Sequence, residues 1–417
     1  MTDQTSKKKI LILTSDAGFG HRSAANALKA ALEQKYGDQG DITIVNPLDD
    51  PRTPAFLRDS EEDYTRLVRN APDLYRFGYK ASDAEIPSAI IESVLTLALY
   101  EVMGELVREH QPDVIASTYP MYQAPLVAYF GLNDICVPLV VVVTDLVSVH
   151  RIWFEPDVDR CLVPTEVVRD LALKHGVDAK KIHITGIPVS PHFANNTRGK
   201  EDIRAALGWD PYLPAFLAVG SQRVDRMVDT LNVLNHFGLP LQAAATAGRD
   251  QDLLEKLKQI EWHIPFRAYG YVDNMPDMML AADAIISKAG GLVVTESLAC
   301  GLPVMLIDAI PGQEEGNRDF VLQHGAGVYV EKPMQVLEAL SDWMRQDSRG
   351  LKQAAENAKA AGRPNAAMDA ADLIWKAALD GPGGGQPISE LRRTRLIDLL
   401  TRNQIKWERK PKPAQEK

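Results

Sequence analysis

Short apolar runs alternate along the chain with longer stretches whose apolar residues recur at helical spacing. The runs of the first half are ILILT, ITIVN, DVIAST, PLVVVVT, RCLVPT and IHITG, and those of the second half are AFLAVG, LQAAATAG, FRAYG, AIISKAG and PVMLI. Continuous apolar runs of this length are typical of strands in parallel sheets, which are buried on both faces. The alternation therefore predicts an α/β protein built from βαβ units.

A segment without such a pattern, GIPVSPHFANNTRGKED (186–202), separates the two series. We place a domain boundary there, because 417 residues with 45% apolar content suffice for two cores. The predicted parts are a first domain at 1–190, a second domain at 191–365, a returning helix at 366–380, and a glycine-rich linker with a basic tail at 381–417. Two doubly wound domains facing across a cleft would bind ligands at the carboxyl ends of their strands.

The cysteines and the longest apolar runs indicate where the protein works. Cys136, Cys161 and Cys300 are widely spaced, which is typical of a reduced, cytoplasmic protein without a disulfide framework. The strand-like run ICVPLVVVVT (135–144) is far shorter than the roughly 18 to 20 residues of a membrane span. We therefore expect a cytoplasmic chain that does not cross a membrane.

The first predicted strand ends in a glycine turn, SDAGFGHRSA (15–24), with a histidine at its tip. Gly18 and Gly20 match the start of a dinucleotide-binding turn, in which glycines let the backbone approach a phosphate. Ser23 stands where that pattern has its third glycine, and Asn46 ends the second strand in place of an acidic residue for ribose. The turn therefore argues against a dinucleotide site, and His21 requires another explanation.

A second turn, in AIISKAGGLVVTESLA (284–299), predicts an anion site. The strand ends at Ser287. The loop that follows consists of Lys288, Ala289, Gly290 and Gly291, and it opens a helix at about 292–299. Amides at a helix start and the positive end of the helix dipole attract a diphosphate, and Glu296 can accept hydrogen bonds from both hydroxyls of a ribose. The alternative is a tight turn with a solvated lysine and an exposed glutamate.

The next strand ends in DAIPGQEEGNRDF (308–320), which gathers amide and carboxylate side chains behind a Pro-Gly turn. These side chains belong to Gln313, Glu314, Glu315 and Asn317. Amides and carboxylates discriminate sugar hydroxyls because they offer donors and acceptors in fixed planes. A polar surface loop is the alternative.

Taken together, these segments resemble a known family. GFGHRSAANAL, VVVTDLVSVHRIWF, GIPV, GYVDNMPDMMLAADAIISKAGG, TESLACGLPV and IPGQEEGNRDF occur in the order and spacing of the monogalactosyldiacylglycerol synthases and the bacterial processive diacylglycerol glucosyltransferases. The resemblance runs from about Ile10 to Ile374. It implies the GT-B fold, with two Rossmann-like domains, and an inverting glycosyltransferase related to the peptidoglycan enzyme that transfers N-acetylglucosamine.

The resemblance implies roles for residues of the first domain. His21 would lie at the transfer site, and His21 and Asp145 are the candidates for the base that takes the proton of the acceptor. The residues expected on the acceptor side are Gly18, Gly20, His150 and Trp153.

The resemblance also implies a donor site in the second domain. Glu296 would bind the uridine ribose, the backbone at Tyr271 and Val272 would face the uracil, and the PGQEEGN side chains would hold the sugar. The expected contacts of the diphosphate region are Gly220, Ser221, Arg223, Ser287, Lys288, Gly290 and Gly291. The turn after Gly220 departs from the family, because SQR replaces its glycines. The KAGGL loop is similar to that of the glucosyl branch, since the galactosyl enzymes have a proline after its first glycine.

The implied reaction transfers a hexose from UDP-glucose or UDP-galactose to the hydroxyl of diacylglycerol, with inversion. No metal or other cofactor is expected, because the helix start supplies positive charge and no D-x-D motif ends a strand. Nor do we expect a nucleic-acid partner. Two alternatives stay open: a UDP-sugar epimerase of the same fold, and a non-catalytic sugar-nucleotide- or lipid-binding protein, which the missing glycines would suit.

The end of the chain differs from the rest in charge. Residues 391–417 hold nine basic and three acidic side chains, a net charge of +6 in a chain of −10, so the other residues together carry −16. If the segment is helical, Leu396, Leu400 and Trp407 share a face, as in helices that lie in a membrane interface. This tail, with the mixed aromatic and charged stretch at 53–80, favours peripheral association with the anionic inner face of the cell membrane. A helix folded back on its own acidic body is the alternative.

Overall fold

Two compact units make up the protein, for which a computed structural model describes residues 7–16, 20–58, 85–220, 226–381 and 390–402. The first unit comprises Met1–Asp145, Val149–Pro188 and Ala366–Lys417, and the second comprises Leu146–Ser148 and Val189–Asn365. Each unit is built around one six-stranded parallel sheet.

The sheet of the first unit has the order β2-β1-β3-β4-β5-β6. Its strands are β1 (Lys8–Leu13), β2 (Gly40–Val45), β3 (Val114–Ser117), β4 (Leu139–Val142), β5 (Arg160–Val163) and β6 (Ile182–Ile184). In β1, Leu11 and Leu13 are buried in one core cluster, whereas Ile10 and Ile12 are buried in the other. Burial on both faces explains why the strand sequences are continuously apolar.

Helices follow the strands of the first unit and cover both faces of its sheet. They are α1 (Gly20–Tyr36), α2 (Ala55–Arg58), α3 (Glu85–His110), α4 (Gln123–Asn133) and α5 (Glu166–Lys174). Apolar residues of α3 and α4, such as Met103 and Leu126, pack in one cluster, and Leu28 of α1 packs in the other.

The sheet of the second unit has the order β12-β11-β10-β7-β8-β9. Its strands are β7 (Ala215–Val219), β8 (Gln242–Thr246), β9 (Phe266–Tyr269), β10 (Ala284–Lys288), β11 (Val304–Asp308) and β12 (Gly327–Tyr329). Its helices are α6 (His192–Asn195), α7 (Lys200–Leu207), α8 (Met227–Asn235), α9 (Gln251–Gln259), α10 (Met275–Ala281), α11 (Gly291–Ala299), α12 (Glu315–Gln323) and α13 (Pro333–Ala361). Phe216, Leu231 and Ile286 are fully buried in its core.

The chain then returns to the first unit through α14 (Ala366–Asp380). Trp375 of this helix stacks on Tyr36 of α1, with ring centroids 4.4 Å apart. The Tyr36 hydroxyl donates a hydrogen bond to Asp372 over 2.6 Å. Helix α14 is therefore part of the first core, although the stretch Val189–Asn365 of the second unit directly precedes it.

The last described helix, α15 (Glu390–Arg402), also packs on the first unit. Leu400 is fully buried, Leu396 and Ile397 are partly buried against the same cluster, and Arg393 pairs with Asp134 at 3.2 Å. This arrangement corrects the expectation of a membrane-facing stripe, because Leu396 and Leu400 are used in the protein core. Trp407 lies outside the described residues.

The elements agree with the sequence pattern in most places. All eleven apolar runs form strands, and the helix expected at about 292–299 begins one residue earlier, at Gly291. Strand β12 was missed, because its three half-buried residues give no periodic signal. Most of the 53–80 stretch lies outside the described residues. No helix among the residues that the structure describes is long and apolar enough to span a bilayer.

Candidate active site

Each sheet has one position where the chain reverses its direction of strand addition. In the first unit this lies between β1 and β3, and in the second between β7 and β10. Loops at the carboxyl ends of such neighbouring strands diverge and leave a crevice in which ligands bind. The start of α1, with His21, lies at the first switch point, and the Lys288 loop lies at the second.

His21 lies in the first turn of α1 and is oriented by two neighbouring strand ends. Its Nδ1 is 2.9 Å from the carbonyl oxygen of Thr118 and 2.7 Å from the Thr144 hydroxyl. Because a carbonyl can only accept, Nδ1 carries the hydrogen, and Nε2 is the unprotonated nitrogen of the neutral ring. Burial lowers the pKa of His21 to about 4, opposed in part by the Thr118 carbonyl. The ring is therefore a neutral base at pH 7.

Asp145 follows β4 and is held by a buried tryptophan. The indole N–H of Trp153 donates to Asp145 Oδ2 over 2.7 Å. Burial raises the pKa of Asp145 to about 6, and the bond from Trp153 opposes that rise. Trp153 is itself 0% exposed, with its ring 6.0 Å from that of His21. Its place in the core makes it a support for Asp145 and His21 rather than a surface for the acceptor.

His150 has a local structural contact. Its Nδ1 accepts a hydrogen bond from the Ile152 amide over 3.2 Å and so caps the short helical turn Arg151–Trp153. The structure thus brings His21, Asp145 and Trp153 together, with His150 at the start of the turn that carries Trp153. Gly20 is the first residue of α1, and Gly18 lies outside the described residues.

Several first-unit residues of this site were missed by the sequence reasoning. Besides Thr118 and Thr144, Tyr119 packs edge-on against His21, with ring centroids 4.9 Å apart. Arg22 makes a two-point ion pair with Asp16 at 2.6 and 3.0 Å. A signal in the sequence that could have found Thr118 and Thr144 is a threonine within two residues of each strand end, where a polar side chain interrupts an apolar run.

In the second unit, Lys288 ends β10 and is engaged by an acidic partner. Its ammonium contacts Glu314 Oε1, and the two side chains are only 18% and 7% exposed. Glu314 also accepts a hydrogen bond from the Ile310 amide over 2.9 Å through its other oxygen. Glu314, expected to bind the sugar, thus ties the Lys288 loop to the Pro-Gly turn.

The loop after Lys288 leads into the start of α11 and leaves its first amides without a side-chain cap. Ser287 is buried and donates to the Lys288 carbonyl over 2.8 Å. Gly290 occupies the position before the helix and offers no side chain to cap it, so the first amides of α11, beginning at Gly291, remain available to a ligand. A Cβ at Gly290 would lie 3.2 Å from the Lys288 ammonium, so a larger residue there would crowd that side chain. These amides lie where the sequence predicts an anion site, and that site stays a prediction.

Glu296 is part-buried on α11. Burial raises the pKa of Glu296 to about 7. A carboxylate in such surroundings gains from ligand hydroxyls that donate to it, since they replace the lost water.

The remaining residues of the PGQEEGN segment lie at the start of α12 and just before it. Asn317 is 4% exposed and donates through Nδ2 to the Ala289 carbonyl over 2.9 Å. Its Oδ1 is buried without a partner among the described residues. Glu315 accepts from the Gly312 amide over 3.1 Å, and Gln313 precedes it in the same turn. Asn317 therefore joins this turn to the Lys288 loop.

Other donor-site candidates lie on neighbouring strand ends. Gly220 follows β7, and a Cβ there would meet the Thr246 carbonyl oxygen at 2.9 Å and Leu253 at 2.7 Å, so only glycine fits. Tyr271 is 66% exposed after β9, with the Arg249 guanidinium 6.0 Å from its ring, and Val272 is half-buried beside it. Ser221 and Arg223 lie outside the described residues.

Comparison with protein families matches both units. The family model described as monogalactosyldiacylglycerol (MGDG) synthase matches residues 21–189. The model described as glycosyltransferase family 28 C-terminal domain matches residues 216–374. The first match contains His21, Asp145 and Trp153, and the second contains Lys288 and Glu296.

Similar proteins cover most of the chain. The spinach (Spinacia oleracea) chloroplastic monogalactosyldiacylglycerol synthase is 33% identical over 371 residues, which cover 87% of this chain and 71% of that protein. Monogalactosyldiacylglycerol synthase 3 of Arabidopsis thaliana is 34% identical over 377 residues, which cover 87% of this chain and 80% of that protein.

Solved structures share the fold. Acinetobacter baumannii MurG superimposes with a TM-score of 0.57 at 15% identity, covering 89% of this chain and 99% of that one. A putative UDP-N-acetylglucosamine 2-epimerase from Listeria monocytogenes superimposes with a TM-score of 0.57 at 14% identity, covering 89% of this chain and 96% of that one. At such identities the likeness shows the GT-B architecture of two Rossmann-like domains.

Proposed function

The chain belongs to the monogalactosyldiacylglycerol synthase family, and from that premise we propose that it transfers a hexose from UDP-glucose or UDP-galactose to diacylglycerol, with inversion. Membership makes it a glycosyltransferase; the donor and the acceptor are our proposal. The observation that carries it is the 33% identity to the spinach synthase, which extends over 87% of the chain and so includes both units. The relatives' names point to a galactolipid, whereas the KAGGL loop favours glucose.

The proposed reaction is a single displacement. As the acceptor oxygen bonds to the anomeric carbon, the bond from that carbon to the UDP oxygen breaks, and the hydroxyl proton moves to a base. His21 suits this role because its Nδ1 hydrogen is held by Thr118, leaving Nε2 to accept the proton. Asp145 is the second candidate, and Trp153 fixes its carboxylate.

The donor contacts are proposed in the second unit. Glu296 would accept hydrogen bonds from the ribose hydroxyls, the backbone at Tyr271 and Val272 would face the uracil, and Gln313 with Glu315 would face the sugar. The amides at the start of α11 would stabilise the leaving diphosphate by preorganised charge. On this scheme a bound metal is not required, and transfer should persist in a chelator.

Acceptor chemistry also sets the proposed location. Diacylglycerol resides in membranes, so we propose that the protein works in the cytoplasm at the anionic inner face of the cell membrane. The basic residues beyond α15 are the proposed contact, since each basic side chain near such a surface contributes about 1 kcal/mol.

One experiment tests donor and acceptor together. The purified full chain is incubated with UDP-glucose, UDP-galactose or UDP-N-acetylglucosamine and diacylglycerol in micelles, and the lipids are separated. We expect glycolipid with one of the two hexose donors, and NMR should show the inverted anomer. Absence of glycolipid with every donor would refute the proposal.

Matched controls separate the alternatives. An epimerase would release an isomerised UDP-sugar without diacylglycerol, and a binding protein would consume no donor. His21→Ala should lower turnover while leaving the calorimetric affinity for UDP unchanged, because the base acts on the acceptor. Loss of UDP binding in that variant would instead place the nucleotide at the first glycine turn.

A further inference from the structure

Among the residues that the structure describes, Lys288 and Arg226 are two side-chain cations near the switch point of the second unit, and they differ in availability. Lys288 is mostly buried and bonded to Glu314. Withdrawing one partner from a buried ion pair leaves the other charge uncompensated, which is costly. Lys288 therefore fixes its loop and has little charge to offer a ligand.

Arg226 is placed differently. It is exposed and directly precedes α8, at the end of the loop that follows β7. Its Nη1 donates to the Ile307 carbonyl over 3.4 Å, a long hydrogen bond that a charged acceptor can readily replace. Ile307 is the penultimate residue of β11, so the guanidinium lies at the carboxyl edge of the sheet.

The same guanidinium lies beside the Lys288 loop. Asp308 is aligned with Lys288 in the sheet, and its carbonyl accepts the Ala289 amide over 2.8 Å. Burial raises the pKa of Asp308, and the charges of Arg226 and Lys288 both oppose that rise. Arg226 is thus an electrostatic neighbour of the loop that opens α11.

We propose that Arg226 binds the diphosphate of the nucleotide donor, together with the first amides of α11. This inference rests on the proposed function, since it names a further ligand for the same donor. The planar guanidinium can bind two phosphate oxygens at once, whereas an ammonium acts as a point charge. It supplies the charge at a turn where SQR follows Gly220 instead of further glycines. Sequence reasoning selected Arg223 in this turn and did not consider Arg226.

Calorimetric titration with UDP, UMP and uridine tests this assignment without requiring transfer. In Arg226→Ala we expect UDP affinity to fall about tenfold or more, the size of a charge-assisted contact, with a smaller loss for UMP and none for uridine. Arg226→Lys should recover part of the UDP affinity. Lys256→Ala, at an exposed site on α9, is the matched loss of charge and should bind as the wild type does.

The contrary results are equally specific. UDP affinity unchanged in Arg226→Ala would overturn the assignment. Equal losses for UDP and uridine would also overturn it, because they would indicate damage to the unit rather than loss of a phosphate contact. Normal UDP binding by the wild type without glycolipid formation would refute the proposed function alone, and the Arg226 comparison would still stand.

Discussion

Two threonines orient the imidazole of His21, and Thr144 allows a direct test of that arrangement. Its hydroxyl is 2.7 Å from His21 Nδ1, and the residue is only 8% exposed. Thr144→Val keeps the shape but removes this contact, so we expect kcat to fall about tenfold, a part of what a general base contributes, with little change in the KM for donor. Thr144→Ser should restore most of the rate.

The control is Thr185→Val, at the end of β6. That hydroxyl is also buried but donates to the Gly186 carbonyl over 3.1 Å. The kcat of Thr185→Val should match that of the wild type. Steady-state kinetics measures kcat for both variants. Equal kcat in Thr144→Val and Thr185→Val would contradict the orienting role of Thr144.

Glu296 predicts a pH dependence of donor binding. Its pKa is raised to about 7 by burial, so the carboxylate is half protonated near that pH. Only the ionised form accepts bonds from both ribose hydroxyls. UDP affinity should therefore be constant well above pH 7 and fall as the pH decreases through 7, approaching about tenfold per pH unit.

Glu296→Gln provides the reference, because UDP itself titrates and this substitution removes only the protein's contribution. The variant should bind UDP more weakly by about 1.5 to 3 kcal/mol above pH 7. Calorimetry from pH 5.5 to 9 measures both profiles. Parallel profiles would show that Glu296 does not contact the ribose as a carboxylate.

Sequence reasoning identified residue types better than their partners. The glycine turn pointed to His21, but nothing in the sequence places Thr118 and Thr144 at its ring, because they lie 97 and 123 residues away. Glu314 illustrates the same limit. Its position suggested a sugar contact, whereas the fold brings it to Lys288, 26 residues earlier.

At the scale of elements, α14 is an integral part of the first unit. Trp375 is 7% exposed and stacks on Tyr36. We expect Trp375→Ala to lower the free energy of unfolding of the first unit by about 3 to 5 kcal/mol, as for other buried aromatic residues. Denaturant titration followed by circular dichroism measures the loss.

The exposed neighbour Lys376 gives the comparison. It pairs with Asp380 at 3.6 Å on the surface, so Lys376→Ala should cost at most about 1 kcal/mol. A similarly small loss in Trp375→Ala would mean that α14 contributes little to the first core.

The apolar pattern predicted elements in proportion to how fully each is buried. The continuous runs of β1, β4 and β10 are unambiguous, because both faces are covered. Strand β12 has only three residues, all half-buried, and the apolar pattern did not predict it. The sequence predicts an amphipathic helix at α15, and its apolar face packs against the core of the first unit. Periodicity indicates which face of a helix is buried, but it does not indicate what covers that face.

At the scale of the whole molecule, we predict separable roles for helix α15 and for residues 403–417. Helix α15 buries Leu400 in the first core. Residues 403–417 hold five basic side chains and two acidic ones, in a protein whose total charge is −10. Removal of residues 381–417 should therefore destabilise the first unit, whereas removal of 403–417 alone should not.

The shorter deletion isolates the proposed membrane contact. If these basic residues bind an anionic surface, the chain without 403–417 should keep its melting temperature and its transferase rate on detergent-dispersed diacylglycerol, but sediment less with vesicles of anionic lipid. The difference should shrink as salt increases, because screening weakens each contribution of about 1 kcal/mol. Neutral vesicles are the control, and deletion should have a smaller effect on binding to them. Equal sedimentation of both proteins with anionic vesicles at low salt would exclude the tail as the contact and leave another part of the chain to meet the membrane.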